Sequence, residues 1–158
     1  MTFSSEPLNK NSAWRNILLP HNLLRGTMRL KTILNYGLKF KCFCIGKSEF
    51  NEKKDSIIVE IKARTNSKPV CSICGTASPG YDTLPERLFE FVPMWGLRVF
   101  FRYAMRRVSC PQCKRVVVEA VPWCDGKNHF TNHYAAFLAS WAKELSWKSV
   151  AAHFHTSW

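Results

Sequence analysis

Four cysteines arranged as two Cys-x-x-Cys pairs, Cys71 and Cys74 in CSICG and Cys110 and Cys113 in CPQCK, constrain this chain more than any other feature. Two intervening residues let both thiolates of one turn point to a common centre, while backbone N–H groups of the turn donate hydrogen bonds to the sulfurs. Each pair predicts one knuckle, and the two knuckles together predict a Cys₄ site for a single Zn²⁺. Four protein ligands leave no open position for a substrate, so the expected metal is structural. Redox-active pairs are the competing reading, but no strand and helix pattern of the thioredoxin kind surrounds either one. The 35 residues between Cys74 and Cys110 are expected to hold a strand hairpin that brings the knuckles together.

The segments around the pairs have the period of two that marks strands. LRVFFRYAMRRVSC places Val99, Phe101, Tyr103 and Met105 on an apolar side, with Arg98, Arg102 and Arg106 opposite, and runs directly into the second pair. IIVEIKA puts Ile57, Val59, Ile61 and Ala63 on one face. An earlier strand is expected from Leu38, with Leu38, Phe40, Cys42 and Cys44 sharing a face as small or apolar buried residues. A short return over residues 116–120 follows the second pair. After Asp125 the period becomes about 3.6: Tyr134, Phe137, Leu138, Trp141 and Leu145 mark a helix capped by Thr131, and Ser146 caps a second, with Val150, Ala151 and Phe154 on one side. Cys124 has no partner at knuckle spacing, and His129 and His133 read as part of a polar helix face.

The predicted fold is therefore α+β: a small antiparallel β zinc ribbon followed by an α-helical, truncated helix-turn-helix segment. Residues 1–27 read as a loose tail, 28–125 as the β-rich zinc-ribbon domain and 126–158 as the incomplete helix-turn-helix; Met28 is an alternative start to Met1. No apolar run approaches the roughly 18 to 20 residues of a membrane span, and no secretory signal is visible, so the expected location is the cytoplasm.

Charge narrows the partner. Lys and Arg number 23 against 11 Asp and Glu, a formal +12, which points to a polyanion and first to nucleic acid. Arg98, Arg102, Arg106, Arg107, Lys114 and Arg115 form a stretch without an acidic residue, suited to neutralising phosphates without reading sequence. The alternative is a zinc-ribbon protein-interaction module using Trp95, Phe100, Phe101 and Trp123.

The run CSICGTASPGYDTLPERLFEFVPMWGLRVFFRYAMRRVSCPQC, then EAVPW, the helix ending WAKELSW, VAAHF and TSW, resembles the N-terminal region of bacterial insertion-sequence transposases of the ISL-three family. The resemblance spans the chain from about Met28 to Trp158. It implies that Cys71, Cys74, Cys110 and Cys113 are the ribbon ligands, that residues 81–107 form the hairpin between knuckles, and that the DNA partner is an insertion-sequence end. Ser157 and Trp158 would open the recognition helix, and His155 stands where many such turns carry glycine. A catalytic domain with three metal-binding carboxylates would follow in the family; none of the eleven carboxylates here has such a setting, so a non-catalytic, truncated fragment is expected, able to bind DNA and also to meet a full-length transposase.

Overall fold

The computed structural model describes residues 29–125 and 127–156. The expected tail, the alternative start Met28, and the Ser157–Trp158 opening of a recognition helix lie outside the described residues.

The described residues are α+β, with three α-helices and a five-stranded sheet. Helix α1 spans Leu30–Leu38, and strands β1 and β2 span Phe43–Asn51 and Ser56–Ala63. Strands β3, β4 and β5 span Gly80–Met94, Leu97–Cys110 and Arg115–Val118, and helices α2 and α3 span Asn132–Trp141 and Trp147–Phe154. Strand order is β1-β2-β4-β3, with β5 also paired to β4.

The sheet is mixed, which corrects the expectation of an antiparallel ribbon. Strand β2 runs parallel to β4 over Ser56↔Arg98 to Glu60↔Arg102, while the β1/β2, β3/β4 and β4/β5 pairs are antiparallel. Parallel pairing needs a crossover rather than a tight turn. Here the turn of the first cysteine pair and β3 supply it, so Cys71 and Cys74 lie on the path between two neighbouring strands.

Strand β4 coincides with the segment read from the sequence, and its apolar side is buried: Val99, Phe101, Tyr103 and Met105 are each 5% exposed or less. The β3/β4 turn is Trp95-Gly96, both at positive φ (54° and 77°), the geometry whose twist matches that of a two-residue hairpin. Pro85 and Pro93 lie in β3, and its register shifts near both; β3 is an edge strand, where a missing N–H is tolerated.

The first predicted strand is corrected. Leu38 ends α1, and the chain then turns through Lys39 (φ 44°) and Cys42 (φ 67°), two left-handed residues that break the alternation. Phe40, Phe43 and Ile45 are consequently the buried residues, while Cys42 and Cys44 are only half-buried. Trp123 sits at the centre of the core, fully buried, with the rings of Phe40, Phe43, Phe89 and Tyr103 5 to 6 Å away (5.4, 4.9, 6.2 and 5.2 Å). Phe101 is buried as well, so neither it nor Trp123 offers a contact surface; Phe100 is half-buried and Trp95 is 76% exposed.

Both helix caps form as read: Thr131 Oγ1 accepts from Tyr134 N at 3.2 Å and Ser146 Oγ from Ser149 N at 3.2 Å. Tyr134, Leu138 and Val150 make a second, small apolar cluster with Phe137 and Phe154 against it. Leu145 lies past the end of α2 and is exposed. This cluster is tied to β3 by Glu90 N donating to His129 O and Thr131 N donating to Glu90 O, both 2.8 Å. No helix among the described residues is long and apolar enough to cross a membrane.

Candidate metal centre

Residues 71–75 and 110–114 build the same device twice. Gly75 N donates to Cys71 O at 3.0 Å, and Cys113 N donates to Cys110 Sγ at 3.4 Å, so each pair closes into a tight turn. The residue after each second cysteine has positive φ, 72° at Gly75 and 50° at Lys114. Glycine adopts this freely; Lys114 adopts it at a steric cost.

The four sulfurs of Cys71, Cys74, Cys110 and Cys113 lie within 4.8 Å of one another. Cys71 faces Cys113 at 3.9 Å and Cys74 faces Cys110 at 3.5 Å. A tetrahedron of metal–sulfur bonds of about 2.3 Å has edges of roughly 3.8 Å, so these positions fit one ion with little movement. Disulfides would need sulfurs about 2.05 Å apart. Cys71 and Cys110 are buried and the other two half-buried, which suits a closed, structural centre.

Electrostatics favours a cation. Hydrogen bonds from Thr76 pull the Cys74 thiol down to about 6, and the Cys113 N–H lowers Cys110. The neighbouring Cys74 sulfur in turn pushes Cys113 up to about 12. Sulfurs packed this closely cannot all ionise without a positive charge between them, a charge that a bound metal ion would supply.

A buried ionic network that sequence reasoning missed supports the first knuckle. Glu119 is 2% exposed and bridges to Cys71 across an isolated β-bridge. Its carboxylate accepts from Tyr103 Oη at 2.6 Å, Arg106 N at 2.8 Å, and the Arg106 guanidinium at 2.9 and 2.7 Å. Arg106 Nη1 also donates to Ser67 O at 3.1 Å. Burial and the Glu119 carboxylate raise the Tyr103 phenol well above its ordinary value. Burial works against the Arg106 charge, but Glu119 more than offsets it and raises its pKa. The one available signal was a lone acid beside a valine run, opposite arginines.

The other β4 cations are also engaged. Arg98 pairs with Glu90 at 2.9 Å, Arg102 lies 3.5 Å from Glu49 and 3.9 Å from Glu86, and Arg107 forms a two-pronged pair with Asp82. The acids come from other strands, so a stretch without carboxylates in sequence is flanked by them in space. Among the six cations of that stretch, Lys114 and Arg115 stand exposed with no acidic partner among the described residues. His133 is exposed beside Phe91, and among the described residues neither it nor His129 joins a metal-binding group. Cys124 is buried, and its thiol donates to Asn128 O at 3.4 Å.

No family model, no curated protein and no solved structure matches the chain.

Proposed function

We propose that this chain is a zinc-stabilised DNA-binding module, of the kind found at the N-terminus of ISL-three-type transposases, in which the metal is structural and DNA is held mainly through phosphates. The observation that carries the reading is the closed four-sulfur centre set in a chain of formal charge +12. A soft, redox-inert ion with tetrahedral preference suits four thiolates, and Zn²⁺ meets that description. On this reading the metal fastens the β2–β3 crossover to the end of β4, and α2 with α3 forms the first two helices of a helix-turn-helix. The module does no chemistry itself.

Metal analysis of the purified protein should find one tightly held Zn²⁺ per chain. Removing it with a chelator should unfold the β-rich part, because the site exists only in the folded state and its binding energy is folding energy. The protein should also bind duplex DNA, with log K falling linearly in log salt by about 0.9 per phosphate neutralised. A metal-free protein that keeps its β circular dichroism sinks the zinc assignment; salt-independent affinity, or none, sinks the DNA assignment.

A further inference from the structure

Positive charge is unevenly placed in this chain. Half of the formal +12 falls between residues 29 and 68, where ten basic residues meet four acidic ones. The fold gathers four of these cations, Lys39, Lys41, Arg64 and Lys68, around two adjoining depressions of about 770 and 320 Å³ that share Lys41, Cys42 and Phe43. Among the described residues no carboxylate lines the larger one. The single carboxylate of the smaller, Glu119, is buried and already bonded to Arg106 and Tyr103.

Local conformation explains the arrangement. The left-handed residues Lys39 and Cys42 turn the chain so that Phe40 and Phe43 enter the core while Lys39 and Lys41 stay exposed. Arg64 is pinned opposite them: its N–H donates to Cys42 O at 2.9 Å and its Nε to Phe43 O at 3.2 Å. The turn that follows, with Ser67 N donating to Arg64 O at 2.9 Å, brings Lys68 to the same side. Asn66 and Ser67 add polar groups to the larger depression.

We propose that this groove is where the protein holds the phosphodiester backbone of duplex DNA, an assignment that rests on the DNA-binding reading and gives it a location. Cations distributed over two joined depressions match a row of phosphates better than one small anion. Lysines act there as mobile point charges, so contact is insensitive to base sequence. The β4 arginines are poorer candidates, since binding a phosphate would require each to leave or share a carboxylate it already holds.

Two variants of equal charge separate this groove from diffuse attraction. Lys39→Gln/Lys41→Gln/Lys68→Gln removes three groove cations and leaves Arg64, whose Nε holds the backbone. Lys53→Gln/Lys54→Gln/Lys143→Gln removes three cations outside it. Fluorescence anisotropy on a duplex of about 30 base pairs should show the groove variant losing about 2 to 3 from the slope of log K against log salt, and the remote variant less than about 1. Equal losses in both variants overturn the groove assignment while leaving DNA binding intact. Absence of salt-dependent binding by the unaltered protein instead overturns the DNA reading on which the assignment rests. Lysine acetylation of the unaltered protein, read by mass spectrometry, repeats the test without substitution. Bound duplex should protect Lys39, Lys41 and Lys68 and leave Lys53 and Lys54 reactive; the opposite order refutes the groove.

Discussion

Replacing Glu119 should be among the most damaging single changes outside the cysteines. Its carboxylate is buried and takes four donor contacts, from Tyr103 Oη, Arg106 N and two guanidinium nitrogens. Glu119→Ala leaves the partly buried Arg106 without a carboxylate, held by Ser67 O and the Phe43 ring, and strands the Tyr103 hydroxyl. Removing one partner of a buried ion pair costs about 3 to 5 kcal/mol, a large part of the roughly 5 to 15 kcal/mol that a domain possesses. At about 3 to 4 °C per kcal/mol for a chain of this size, the melting temperature should fall by roughly 10 to 20 °C. Urea unfolding of the zinc-loaded protein measures the loss directly. The triple variant Tyr103→Phe/Arg106→Met/Glu119→Leu, which removes all the polar partners together, should recover most of it, because a well-packed apolar replacement of a buried pair is often neutral. Arg106→Met alone should also lower stability, because it leaves the buried Glu119 carboxylate without its cation. A Glu119→Ala loss below about 1 kcal/mol, or a triple variant no more stable than Glu119→Ala, would refute the claim that this network carries the first knuckle.

Because the Tyr103 phenol is raised above its unfolded value near 10, the unfolded chain loses that proton first; stability should fall as pH rises past about 10, and Tyr103→Phe should flatten part of that decline in alkaline urea titrations. The buried Tyr134 phenol, pushed up to about 12, should account for a residual decline in that variant. Gly46→Ala should cost less than about 1 kcal/mol by thermal melting, since the atom an added Cβ would meet at 2.7 Å is the free end of the Glu60 side chain and the backbone approach, to Glu60 O, is 3.3 Å; a larger loss would mean that Lys47 N and Lys62 hold the Glu60 carboxylate in place.

What could be read from sequence was whatever depends on near neighbours. The knuckles follow from spacing, β4 from an uninterrupted alternation, and the caps Thr131 and Ser146 from a side-chain oxygen placed three residues before the N–H it accepts from. Features set by distant segments were not legible. Nothing in IIVEIKA says that it runs parallel to β4 rather than antiparallel, because register between segments some 40 residues apart is decided by the crossover. The phase error at Leu38 has a local cause instead: alternation assumes extended backbone, and two left-handed non-glycine residues shift which side chains face the core.

The arginine stretch shows why charge read along a chain and charge read in space lead to different surfaces. Along the chain, the segment from Arg98 to Arg115 has six cations and no acid, and so looks like the polyanion site. In the sheet, β4 is a central strand flanked by β2, β3 and β5, and its arginines meet Glu90, Glu86 and Asp82 from β3, Glu49 from β1, and Glu119 just past β5. A central strand has acidic neighbours on both sides; a loop between elements has few. Among the described residues, cations without an acidic partner include Lys39, Lys41, Arg64 and Lys68, where the chain turns, and these two turns sit beside each other because β1 and β2 pair antiparallel from Phe43↔Ala63 onward. Of the β4 pairs only Arg106–Glu119 is buried and carries much stability; the more exposed pairs of Arg98, Arg102 and Arg107 chiefly occupy charge that would otherwise face a partner. By that argument, reversing Arg98 or Arg107 should change DNA affinity less than reversing Lys41 or Lys68 does, as fluorescence anisotropy would show; equal losses would refute it.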